Sequence, residues 1–523
     1  MLGVQALLCV LSIVCITAAT APVVDLGYTQ YKGSIDASTG ITSYLGIRFA
    51  APPVGKLRWK APQAPHTVTG VQDATKQPKR CYQGSMGASP TNPLKVSKRD
   101  VGSSEDCLFL SVYSPQHHTS EGLPVIVWIH GGGYVSGPSS IFDGADLIKN
   151  SNNGVVVVVI QYRLGLFGFL AGKAVKAGGA LNAGLLDQNY ALQWVQSHIS
   201  KFGGDPSKVT IWGESAGAGS VLQHVVAHRG NTQPSLFRAV MTSSTFLPPQ
   251  YNYNDPIPEK LYREVVSGAK CTSSSDTLAC LRAAHVDTLE ALNTKIGKAG
   301  FSGTFTFVPV IDGSFIMERP TVTLNRGRVN GDTLLSVTNT FEGTAFVSAH
   351  TKLNISEYTS TLFPRFGHTQ AAGAAQHYKG VGKSSVDQAI AAMGESIFIC
   401  PTYYLIEAFA KKKAWKGEFA VPPGRHGQDI PYYFTSNKPP FNNANFVKAF
   451  AQSFLAVAIS LDPNHKISTS DIKPSWRQWS SGATEMWFGK TSKNTPDVRV
   501  VKTNQALQAR CNFWRSVTPY TMQ

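Results

Sequence analysis

Several features are missing from this chain, and each absence removes a class of explanation. Met1 to Ala19 contains no charged side chain, and its apolar run from Val4 to Ile16 is broken only by Gln5 and Ser12. That run falls short of the roughly 20 apolar residues a membrane span needs. Followed by the small residues Thr17, Ala18 and Ala19, it reads as a cleaved signal peptide over residues 1–19. No later stretch reads as a comparable run. The longest, Val155 to Ile160, is β-branched and strand-sized, so no transmembrane segment is expected and the chain should be secreted and soluble. No Gly/Ser- or Pro-rich linker and no internal repeat divides residues 20–523, which argues for a single large domain with long insertions. No Gly-Lys-Ser/Thr follows a glycine loop, which excludes a phosphate loop. No cysteine spacing fits a zinc template, so neither a metal site nor a cofactor is expected.

What is present fits an oxidising compartment. Cys9 and Cys15 would leave with the leader, and six cysteines remain: Cys81, Cys107, Cys271, Cys280, Cys400 and Cys511. An even number reads as three disulfides. Asn354-Ile355-Ser356 is a glycosylation sequon beside the polar Lys352 and Glu357. The net charge of +16 falls on residues beyond the leader. Its Lys and Arg are scattered, and the one tight cluster, Lys411 to Lys413, follows a helical pattern whose end favours cations. A solvated basic surface is expected, with no nucleic-acid partner.

Apolar, β-branched runs recur at Pro124 to Ile129, Val155 to Tyr162, Lys208 to Trp212, Arg238 to Thr242 and Asp332 to Val337. Such runs suit strands buried on both faces of a mostly parallel sheet. Between them lie helical patterns, one over Asp187 to Ile199 with Leu192, Val195 and Ile199 on a stripe, another from Ala216 to about His228. The alternation argues an open α/β sheet with chemistry at the carboxyl ends of its strands. Gly213-Glu214-Ser215-Ala216-Gly217 sits between the strand ending at Trp212 and the helix after it. This strand–turn–helix context makes Ser215 a candidate nucleophile, with the helix N-terminus aimed at a developing oxyanion. His130-Gly131-Gly132-Gly133 also ends a buried strand, and its backbone N–H groups can approach a carbonyl oxygen. A serine nucleophile needs a base oriented by a carboxylate, in chain order Ser, acid, His. Glu342, after the strand ending at Val337, and His426, in a turn-rich loop, stand out. His198, His224, His228 and His465 compete with His426 on residue chemistry alone.

Longer stretches carry a more specific signal: Tyr44 to Pro53, Ser104 to Val112, Gly184 to Gln188, and Phe202 to Pro206 leading into Gly213 to Gly217. With these the chain resembles the type-B carboxylesterase and lipase family, which includes cholinesterases, fungal lipases and sterol esterases, in its secreted fungal esterase branch. The resemblance implies an α/β-hydrolase fold, a mostly parallel central sheet flanked by helices, and hydrolysis of an ester substrate by a Ser-His-Glu triad through an acyl-enzyme. It implies Ser215 as nucleophile, Glu342 as acid and His426 as base, with an oxyanion hole from the N–H groups of Gly132, Gly133 and Ala216. It further implies the pairings Cys81–Cys107, Cys271–Cys280 and Cys400–Cys511, and ion pairs of Arg48 with Glu105 and Arg163 with Asp187.

Departures from the family narrow the substrate. Between Cys81 and Cys107 there is no tryptophan, only Tyr82 as an aromatic, so the cation–π platform for choline esters is missing. The same segment forms a lid in lipase relatives, yet here it is rich in Gly, Ser and Lys without a sustained helical period. An esterase with little interfacial activation is expected. Lipase, sterol-ester and hydroxycinnamoyl-ester (feruloyl) hydrolysis remain alternatives, and a non-catalytic adhesion-type member is disfavoured because every matched catalytic position is retained.

Overall fold

The computed structural model describes residues 21–89, 102–116 and 121–523. The expected signal peptide, and residues 90–101 of the segment between Cys81 and Cys107, lie outside the described residues.

An eleven-stranded sheet organises the molecule. In chain order its strands are β1 (Ser34–Asp36), β2 (Ile41–Arg48), β3 (Phe109–Pro115), β4 (Leu123–Ile129), β5 (Val156–Ile160), β6 (Gly204–Glu214), β7 (Ala239–Ser243), β8 (Thr333–Asn339), β9 (Lys413–Phe419), β10 (Thr484–Lys490) and β11 (Pro496–Lys502). Their spatial order is β11-β10-β9-β8-β7-β6-β4-β5-β3-β2-β1. The run from β5 through β10 is parallel, and the strands at both edges pair antiparallel. Every strand read from the sequence is in the parallel centre.

The β-branched runs are continuous because both faces of the sheet are covered. Val125, Val127 and Ile129 of β4 face one core, while Ile126 and Trp128 face the other. The first core is roofed by α1 (Ala183–His198) and α2 (Ala216–Gly230). On the opposite face lies α5 (Ala444–Ser460), whose Phe446, Phe450 and Phe454 pack under the sheet. The expected stripe Leu192, Val195 and Ile199 is buried, but α1 begins a turn earlier than the pattern suggests. Gly184 is there for clearance: a Cβ would meet Arg163 O at 2.4 Å.

One stretch is more apolar than the sequence reading anticipates, and it packs inside the protein. Ser385–Ala408 forms a continuous 24-residue helical stretch with mean hydropathy 1.4 in its apolar window, long and apolar enough to cross a bilayer. It is a core element, with 89 % of that window buried inside the protein. It comprises α3 (Ser385–Gly394), a π-helical turn (Glu395–Ile399) and α4 (Cys400–Ala408).

The structure contains the disulfides Cys81–Cys107, Cys271–Cys280 and Cys400–Cys511. The last ties α4 to α6 (Gln505–Ser516). Arg163 and Asp187 form a buried two-point ion pair at 2.7 and 2.8 Å. The pairing of Arg48 with Glu105 is not formed. Arg48 takes Asp106 instead, at 2.6 and 2.8 Å, and Glu105 is held by Arg58. Register decides this: Arg48 lies opposite Phe109 in the β2–β3 ladder, with its guanidinium on the Phe109 ring, so the nearer carboxylate is Asp106. Asn354 is exposed and caps the helix Ile355–Leu362 through its Oδ1 in a reciprocal capping box with Glu357.

Candidate active site

β6 delivers Gly213 and Glu214 to the carboxyl edge of the sheet, and α2 starts at Ala216. Ser215 between them has φ 57° and ψ −125°, a left-handed conformation costing a non-glycine residue of order 1–3 kcal/mol. The turn is tight enough to demand the flanking glycines. A Cβ on Gly213 would meet Gly217 C at 2.4 Å, and one on Gly217 would meet Ile129 O at 1.9 Å. Ser215 N donates to Ser243 O at 2.9 Å, which locks the elbow to β7.

The glycine loop after β4 packs on this elbow. A Cβ on Gly131 would lie 2.7 Å from Glu214 O and 3.0 Å from the Ser215 Cβ. Gly132 and Gly133 have φ of 101° and 64°, values open to glycine. Tyr162 donates its hydroxyl to His130 O at 2.8 Å, and Val135 and Ser136 donate backbone N–H groups to Gly132 O. Burial pushes His130 down to about 4, so it is a neutral, structural imidazole. Among the described residues the N–H groups of Gly132, Gly133 and Ala216 donate to no protein acceptor. Three such donors beside a serine can hold a developing oxyanion.

Glu342 follows β8 and is buried. Its Oε1 accepts from Ser244 Oγ and from Asn339 N, both at 2.7 Å. Its Oε2 takes the Nδ1 hydrogen of His426 at 2.6 Å. His426 lies in the loop after β9, and its Nε2 has no hydrogen-bond partner. That atom sits 3.3 Å from Glu214 Oε1, which is equally unpartnered. Asn339 also reaches Asp429 at 3.0 Å. Of the competing histidines, His224 is buried at 3.2 Å from Gln188 Oε1, and His228 and His465 lie away from Glu342 in other elements.

The electrostatics of this cluster centre on one proton. Burial pushes Glu214 up to about 8, with His426 opposing the rise and Asp429 and Glu342 adding to it. Burial also disfavours charge on His426, yet Glu214 and then Glu342 outweigh it and push the imidazole up to about 9. At 3.3 Å the protonation of each group depends on that of the other. With a proton on Glu214, His426 loses its strongest raising influence and becomes the neutral imidazole that general-base chemistry requires.

Aromatic rings surround the chemistry. Phe398 and Phe346 lie 4.5 and 5.0 Å from the His426 ring. Phe305 covers Gly133 so closely that a Cβ there would meet its ring at 2.1 Å. Phe246 contacts both Phe305 and Phe398. Behind Phe246 and Phe305 opens an apolar cavity of about 250 Å³, lined also by Leu261, Val308, Met393 and Ile397. Ser215, Glu342 and His426 are not among its lining residues. Ser244, Asn339, Glu214 and these four phenylalanines were not assigned roles from the sequence. Only Glu214 and Asn339 had a local signal, by adjacency to Ser215 and Glu342. Among the described residues no group of three His, Cys, Asp or Glu side chains gathers as a metal site.

Comparison with known proteins agrees with this architecture. Residues 20–514 match the model of the carboxylesterase family. The chain is 31 % identical to Secreted lipase 1 of Botryotinia fuckeliana, over 89 % of this chain and 88 % of that protein. It is 30 % identical to Carboxylesterase patB of Aspergillus clavatus, over 95 % and 96 % respectively. A crystal structure of Aspergillus niger EstA superposes with a TM-score of 0.85 at 29 % identity, covering 96 % of this chain and 99 % of that one. With its α/β-hydrolase sheet and this match across nearly its full length, the chain belongs to the carboxylesterase family and is a carboxylic ester hydrolase.

Proposed function

We propose that this protein is a secreted esterase working through Ser215, His426 and Glu342. The observation that carries the reading is the buried Glu342–His426 hydrogen bond beside a serine held in a strained elbow. Glu342 accepts from Nδ1, which leaves Nε2 as the basic atom. Nε2 removes the Ser215 hydroxyl proton as Oγ bonds to the ester carbonyl carbon. The carbonyl oxygen becomes an oxyanion facing the N–H groups of Gly132, Gly133 and Ala216. Collapse breaks the bond to the alcohol oxygen, which takes its proton from Nε2. Water then adds to the acyl-enzyme with His426 again as base, releasing the acid and restoring Ser215.

The cavity behind Phe246 and Phe305 suits an apolar acyl group of moderate size. The disulfides and the similarity to secreted lipases support an extracellular setting, where Asn354 at its exposed helix cap is a glycosylation candidate. Residues 20–523 form one catalytic domain in this reading. A lipase reading draws support from the names of the fungal relatives, Secreted lipase 1 and Secreted triacylglycerol lipase LIP1. A rate of tributyrin hydrolysis that rises smoothly through its solubility limit favours the esterase, and a jump there favours the lipase. For the mechanism, Ser215→Ala should lower kcat on p-nitrophenyl butyrate about 10⁵-fold or more with Tm retained. Near-normal turnover in that folded variant would refute the assignment.

A further inference from the structure

Phe246 and Phe398 come from distant parts of the chain, yet they meet at a ring separation of 5.4 Å beside His426. Phe246 follows β7, and Phe398 lies in the π-helical turn Glu395–Ile399. That turn has a covalent cause. Pro401 has no N–H, and Cys400 N donates to Glu395 O, five residues back. Ser396 O loses Cys400 N, which has turned to Glu395 O, and Ile397 O has no N–H to receive from Pro401. Buried carbonyls without partners are destabilising, so donors must come from elsewhere.

They come from two other segments. Leu247 N donates to Ile397 O at 2.9 Å. Gln523 is fully buried, and its carboxamide nitrogen donates to Ser396 O at 2.8 Å and to Leu247 O at 2.6 Å. Two carbonyls against one NH₂ leave a single sensible orientation of the amide, since the flipped form would set oxygen against oxygen. The carboxamide oxygen accepts from Thr521 Oγ1 at 2.8 Å, and the main-chain oxygen of Gln523 accepts from Thr321 Oγ1. One side chain therefore fastens the residue after Phe246 to the turn carrying Ile397 and Phe398. Phe246 and Ile397 line the apolar cavity, and three residues before Leu247, Ser244 holds Glu342.

We infer that Gln523 is a positioning residue for acyl-group selection: its carboxamide pins the Phe246 and Ile397 walls together and so sets the width of the acyl cavity. The inference rests on the reading of that cavity as the acyl site. Gln523→Met keeps the length of the side chain and deletes both donors. The walls should part, which admits longer chains without touching the proton-transfer groups.

The test is kcat/KM on p-nitrophenyl acetate and p-nitrophenyl decanoate for the full-length enzyme. In Gln523→Met the decanoate-to-acetate ratio should rise about fourfold or more, the equivalent of one additional buried methylene, while kcat on acetate stays within about twofold. Thr521→Val, which frees the amide without deleting it, should shift the ratio the same way by less, and it decides the matter if Gln523→Met does not fold. A ratio that is unchanged or falls, with only a lowered Tm, would show Gln523 to be a structural plug and overturn the inference. That failure is separable from failure of the triad, because it leaves the loss of activity in Ser215→Ala untouched.

Discussion

Two clusters of buried ionisable groups flank β8 and β9, and they are built to opposite rules. In the first, Lys416 of β9 is buried, with Nζ 3.1 Å from Glu485 Oε2 and donating to Thr338 Oγ1 at 2.8 Å and to Gly417 O. Glu485 Oε1 accepts from Tyr403 at 2.7 Å and Thr503 at 2.6 Å. Burial works to raise Glu485, but Lys416, Thr503 and Tyr403 outweigh it and hold its carboxyl below the ordinary value. Every charge there has an answer. In the second, Glu214 and Glu342 flank the His426 imidazole, with Asp429 linked through Asn339, and among the described residues no lysine or arginine pairs with them. His426 Nε2 and Glu214 Oε1 are left without hydrogen-bond partners. A satisfied cluster holds the fold, and an unsatisfied one retains a proton it can move.

Mutation of equivalent members should separate the two. Glu342→Gln should lower kcat about 10³–10⁴-fold, as expected when the group orienting a catalytic imidazole loses its charge, with little change in Tm. Glu485→Ala should do the reverse. Leaving Lys416 buried and unpaired costs about 3–5 kcal/mol, read as a fall in Tm, while kcat per folded molecule stays near normal. Equal losses of kcat in both variants would erase the distinction.

The smallest expected effect refines the second cluster. The proposed mechanism needs neutral His426, so kcat/KM should rise with pH as the Glu214–His426 pair gives up its proton. Glu214 is a main cause of the raised imidazole, so Glu214→Gln should move this rising limb to lower pH. A limb that stays in place or moves upward would show that Glu214 does not share the proton.

The comparison also explains what could be read in advance. β4 through β8 were legible because burial on both faces writes an unbroken apolar run. Ser215 was legible because its elbow demands glycines at fixed spacing. β9 was not, since Lys413, Lys416 and Glu418 interrupt Lys413–Phe419 with charges answered only by tertiary partners such as Glu485 and Thr340. Glu342 and His426 could be nominated by chain order, but residue chemistry left several histidines open, and only the fold sets Nδ1 against Oε2. The pairing of Arg48 was misread because adjacent Glu105 and Asp106 are equivalent until strand register selects one. Ser244, Phe246 and Phe398 carry no spacing signal, since their proximity to the site arises from segments far apart in the chain.

The central claim is that the unsatisfied cluster activates Ser215. Its most direct test is labelling of the intact protein with a fluorophosphonate, followed by mapping of the adduct by peptide mass spectrometry. The account predicts one adduct, on the peptide containing Ser215, absent from Ser215→Ala and formed far more slowly in His426→Gln. An adduct on another residue, or undiminished labelling in His426→Gln, would contradict it.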